Sequence, residues 1–105
     1  MIDGLIEAAK ARNMHLIIVW FGTWRNLQSN YVPRYIWDEK IGFPALKEDG
    51  TIHSDVPVIS AFAAKCAERD GLALQALLAR AAQKEPAHQV LVAVQVENEM
   101  PCYAD

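Results

Sequence analysis

The chain has 105 residues, enough for one compact domain with a real core. Its 52% hydrophobic and 22% charged residues are those of an ordinary folded protein and argue against disorder. With a net charge of −3, no basic stripe, and a longest strongly apolar run (16–21) far too short to cross a bilayer, neither nucleic acid nor a membrane is an expected partner.

From the amino end, Ile2, Leu5, Ile6 and Ala9 recur at helical spacing, with Asp3 placed to cap and Lys10 and Arg12 in the last turn. This pattern predicts a helix over 3–12, and Asn13 suits the left-handed position that closes one. Residues 15–21, HLIIVWF, are rich in β-branched side chains and predict a fully buried strand ended by Gly22. Residues 22–59 hold Trp24, Tyr31, Tyr35 and Trp37, the breakers Pro33, Pro44 and Pro57, and an Asp49-Gly50 turn signal. A connection this long has structure of its own or a function, and 33–40 fits one or two helical turns. Ser60 is the expected N-cap of a helix over 60–83, built mostly of Ala, Leu, Arg, Lys and Gln and weakened but not broken by Gly71. Pro86 closes that segment, and a second strand is expected over 89–97. Cys66 reads as a small buried residue of the long helix. Cys66, Cys102, His15, His53 and His88 stand at no metal-ligand spacing, so no metal is expected.

The order makes one β-loop-α-β unit, whose two strands are expected to run parallel with a right-handed crossover. Open and closed α/β folds alike carry their chemistry at the carboxyl ends of such strands. That end brings the aromatic loop 22–30 beside Asn98 and Glu99. The apolar run 90–94 stops abruptly in Gln95, Glu97, Asn98 and Glu99. A strand-end carboxylate beside a tryptophan-bearing loop suits a sugar site: rings stack on pyranose faces, and an acid serves the glycosidic oxygen. Glu97 lies two residues from Glu99 and shares its face if the strand stays regular, so it reads as a charge neighbour, with Gln95 behind it.

These residues carry a resemblance. Gln95-Val96-Glu97-Asn98-Glu99 resembles the QVENE signature of glycoside hydrolase family 35, the β-galactosidases. Residues 15–33, HLIIVWFGTWRNLQSNYVP, resemble the third strand and following loop of a bacterial subgroup of that family, which is related to family 42. The resemblance covers nearly the whole chain. It implies a retaining glycosidase built on a (β/α)8 TIM barrel, with 1–105 a single internal fragment running from the helix before the third strand to the end of the fourth. Carried over residue by residue, it implies Glu99 as the general acid/base, Asn98 as the partner of the sugar 2-hydroxyl, and Trp24 as part of the sugar subsite. The implied substrate is a β-galactoside or related oligosaccharide, and no cofactor is implied. The chain has Gly22-Thr23-Trp24 where many members have Ala-Glu-Trp, and Met100-Pro101 where they continue with Tyr-Gly or Val-Gly.

Retaining hydrolysis needs a second carboxyl group about 5–5.5 Å from the first. The family carries it at the end of the seventh strand. None of Asp38, Glu39, Glu48, Asp49, Asp55 or Asp105 sits at a comparable strand end here, and a complete barrel takes about 250 residues. The isolated chain is therefore expected to be inactive. The alternative is a small non-catalytic α/β domain that binds carbohydrate or associates with itself through uncovered strand edges.

Overall fold

A computed structural model describes residues 1–20, 32–52, 59–60 and 62–98. In chain order the elements are α1 (Ile2–Lys10), β1 (Leu16–Trp20), α2 (Arg34–Asp38), α3 (Ala64–Lys84) and β2 (Leu91–Val96). The chain is thus mixed α/β, and β1 and β2 pair in parallel as the β-loop-α-β order requires. Two compact units divide it, one made of residues 1–20 and 71–96, the other of 21–70 and 97–105.

The first unit is built around α1. Its apolar stripe puts Ile6 and Ala9 against Ala81 of α3 and Val90, with Ile2, Leu16 and Leu91 packed around them. Ile6 is almost completely buried. On the flank of this stripe Arg80 grips Asp3 in a two-bonded ion pair, Nε donating to Oδ1 and Nη2 to Oδ2, and one turn further on Lys84 pairs with Glu7. The Arg80 hydrogen bond holds the Asp3 carboxyl below its usual range, and the Lys84 hydrogen bond does the same for Glu7. Asp3 is therefore not a cap. Met1 occupies the N-cap without a side-chain bond, and Asp3 lies inside the first turn.

The helix also ends earlier than 12. Asn13 N–H bonds the Lys10 carbonyl, Met14 N–H bonds that of Ala9, and Asn13 takes φ 52°, which together close α1 with a left-handed residue as the sequence suggested.

Both strands differ from expectation in extent and burial. β1 starts at Leu16, and the ring of His15 just before it bonds the Gln89 carbonyl. β2 starts at Leu91, not at 89, because the N–H of Val90 goes to the Glu85 carboxylate rather than into the ladder. It stops before Glu97, whose φ of 63° is left-handed and ends the extended run. The prediction of a fully buried first strand is corrected. Its burial alternates: Leu16 packs against the α1 cluster, whereas Ile17 and Val19 on the other face are 66% and 41% exposed.

In the second unit α2 supplies Ile36, which packs with Ile59, Ala63 and Cys66 and with Val32, Trp37 and Ile41. The connection between α2 and α3 folds on itself through antiparallel bridges Pro44 to Ile59 and Leu46 to Ile52. At its tip Asp49 Oδ1 accepts from the N–H and hydroxyl of Thr51, which lowers the Asp49 pKa, and Gly50 supplies φ 79°. Ser60 does not cap α3. Its hydroxyl oxygen accepts from Phe62 N–H, its carbonyl accepts from Ala63 N–H, and α3 begins only at Ala64. The polar side chain thus closes a turn ahead of the helix, the competing use that serine makes of nearby backbone.

Candidate functional site

The parallel register fixes where the candidate residues stand. Ile17 pairs with Ala93, Ile18 with Val94, Val19 with Gln95 and Trp20 with Val96. Paired residues of a parallel ladder point to the same side, so Ile17, Val19, Ala93 and Gln95 share one face, and all four are exposed. The ladder slips by one residue between Leu16 and Ile17, a bulge that inserts Val92 between the paired positions Leu91 and Ala93. Both strands finish together, at Trp20 and Val96.

Gln95 is the polar residue of the open face. Glu97 and Asn98 follow Val96 and are half-buried, and all three are engaged by neighbours. The left-handed backbone at Glu97 breaks the period of two. Its expected sharing of a face with residue 99 therefore does not follow from strand geometry, and the regular alternation ends at Val96. A non-glycine residue with this φ is uncommon and concentrates at functional turns. Trp24 and Glu99 lie outside the described residues. Gln95 is the last residue but one of β2, and Glu97 and Asn98 follow directly after its end. Chemically, that end offers a carboxylate and two side-chain amides, which between them both donate and accept hydrogen bonds.

Both units also hold cavities. An apolar cavity of about 420 Å³ in the second unit is walled by Phe43, Leu46 and Phe62, with Lys47 and Glu48 among its lining residues. A cavity of about 600 Å³ lies at the amino end of the sheet, where Lys10, Asn13, His15, Glu85 and Gln89 line it. The sequence singled out neither Glu85 nor a role for His15. A signal for Glu85 existed: an acidic residue directly after the last turn of a helix opposes the helix dipole. Among the described residues no three His, Cys, Asp or Glu side chains come together to hold a metal, and no helix is long and apolar enough to cross a membrane.

In comparisons with known proteins, no family model and no curated protein matches this chain.

Proposed function

We propose that this chain is part of the catalytic barrel of a retaining, β-galactosidase-type glycoside hydrolase, and that Glu99 is its general acid/base. One observation carries the reading. The apolar parallel strand β2 ends at Val96, inside the motif Gln95-Val96-Glu97-Asn98-Glu99, with left-handed backbone at Glu97, and its partner β1 ends at Trp20, a few residues ahead of Trp24 in the sequence. The unmatched half of the sequence pattern supports it too. A continuous apolar strand belongs in a sheet covered on both sides, yet Ile17 and Val19 are exposed here. Neighbouring barrel strands would supply the cover.

In this reading Glu99 gives its proton to the glycosidic oxygen as the bond to the anomeric carbon breaks. A second carboxylate, from a segment outside this chain, attacks that carbon to form the glycosyl-enzyme. Glu99 then takes a proton from the water that releases the sugar. Asn98 bonds the 2-hydroxyl, a contact that tightens as positive charge develops on the ring. Trp24 gives the sugar an apolar face to stack on.

The test is turnover of β-galactosides by a longer open reading frame that contains this sequence. Glu99→Gln is expected to cost on the order of 10²–10⁴-fold on substrates with poor leaving groups and far less on activated aryl galactosides. Equal losses on both would rule out the acid role. The 105-residue chain alone is expected to show no Glu99-dependent turnover.

A second reading is favoured by the same open face: a non-catalytic α/β domain that associates with itself. Ile17 and Val19 present bare apolar surface, and each strand has only one partner strand among the described residues. Unpaired edges and uncovered apolar faces recruit another chain.

A further inference from the structure

Glu85 is the one buried carboxylate among the described residues, 8% exposed, and the glycosidase reading makes no use of it. Its Oε2 accepts from Val90 N–H at 3.1 Å. Among the described residues it makes no ion pair and no second side-chain hydrogen bond. A carboxylate has about four acceptor sites, so most of its capacity is unused. A buried charge held by one hydrogen bond is costly and calls for a partner.

The partner has a place to sit. Glu85 lines the cavity of about 600 Å³ at the amino end of the sheet. His15 lines it as well, with Nδ1 2.7 Å from the Gln89 carbonyl oxygen. A carbonyl can only accept, so Nδ1 carries the proton, and in the neutral ring Nε2 is left as an acceptor. The cavity also borders the closing turn of α1, through Lys10 and Asn13, where a helix presents its negative end. Met14, Ala87 and Val92 add apolar wall. Asn13 and Gln89 can donate or accept through their amides, and Glu85 is the one polar side chain of this lining that is buried. Lys10 is the opposing element: it is exposed, but it lines the cavity, and its charge competes with that of a bound cation.

We infer that this cavity binds a small organic cation carrying N–H donors on an apolar stem, a primary alkylammonium or a guanidinium, with Glu85 and His15 as its acceptors. The cation neutralises the buried carboxylate, and its stem occupies the apolar wall. The cavity lies wholly within the first compact unit, so the inference is independent of the glycosidase reading.

The experiment is an NMR titration of the labelled chain with ethylammonium chloride, set against sodium chloride at equal ionic strength and against ethanol as the neutral isostere. Saturable shifts of the Val90 amide and the His15 ring are expected, with ethylammonium binding at least about tenfold more tightly than ethanol, the ratio that one added charge-assisted hydrogen bond supplies. Glu85→Gln keeps an oxygen for Val90 N–H but removes the charge, and it is expected to abolish the preference for the cation. Lys10→Gln alters only an exposed side chain and is expected to tighten ethylammonium binding, which keeps the inference testable if Glu85→Gln does not fold. Absence of saturable shifts, equal response to ethylammonium and sodium, equal binding of ethanol, a cation preference that survives in Glu85→Gln, or unchanged or weaker binding in Lys10→Gln would each overturn it.

Discussion

A Cβ on Gly42 would collide with Cδ1 of Ile59 and lie 2.8 Å from its Cγ1 and 3.1 Å from Cγ2 of Ile36. Ile59 is fully buried and Ile36 nearly so, and neither has open space to swing into. Gly42→Ala is therefore expected to destabilise the fold by about 1–3 kcal/mol, the cost of overpacking a filled site, read as a lower urea midpoint at unchanged slope. Adding Ile59→Val, which removes the offending Cδ1, should return part of the loss. Simple additivity of the two changes would mean that the contact is not the cause. Nothing in the sequence foretold this. Gly42 sits in an ordinary Gly-Phe-Pro loop, and its constraint comes from a residue far along the chain. Glu97 teaches the same lesson from the other side. Left-handed backbone favours Asn, so Asn98 is the residue a sequence reading would choose for the turn, but the structure gives the conformation to Glu97.

The elements themselves were legible because their patterns are strong and local. The stripe Ile2, Ile6, Ala9 makes α1 a helix, the Ala- and Leu-rich run makes α3 one, and the β-branched runs make β1 and β2 strands. Their boundaries were not legible, because distant or competing side-chain bonds set them: Val90 N–H to Glu85, Phe62 N–H to Ser60. The pairing of α1 with α3 was likewise invisible. Asp3 and Glu7 are one turn apart, as are Arg80 and Lys84, but that each faces the other pair emerges only on folding.

This ladder makes a pH prediction. Both carboxyls are held below their ordinary values of 3.8 for Asp and 4.5 for Glu, chiefly by the Arg80 and Lys84 hydrogen bonds. Groups with depressed pKa in the folded state stabilise it fully above the unfolded value, and that stabilisation is lost as pH falls through the folded one. Stability is thus expected to fall with acidification below about pH 4.5, starting at the ordinary Glu value. The Asp3→Asn, Glu7→Gln double variant should flatten that fall and change little near neutrality, since exposed pairs contribute weakly. A series of thermal melts against pH checks it; identical acid slopes in parent and variant would show that the ladder is not the source.

At the scale of the molecule the unmet requirement is the open face of the sheet. The run HLIIVWF is apolar at every position but the first, the composition of a strand covered on both sides. The described chain covers Leu16 and Ile18 partly and leaves Ile17 and Val19 in solvent. Two strands alone do not make a stable sheet face, so the missing cover is either more strands of a longer chain or another copy of this one. Replacing Ile17 and Val19 with Thr keeps β-branched strand formers while removing apolar surface, and the outcome separates the two. For a self-associating domain, sedimentation of the 105-residue chain should show a mass that rises with concentration, and the double variant should stay monomeric with unchanged circular dichroism. For a barrel segment, the same two substitutions in the longer reading frame place hydroxyls in a packed interior. There they are expected to cost about 1–3 kcal/mol each and to lower the melting temperature of the whole enzyme. A longer protein whose stability ignores both substitutions would leave these side chains in solvent there too, and the barrel reading would lose the support that the pattern of this strand gives it.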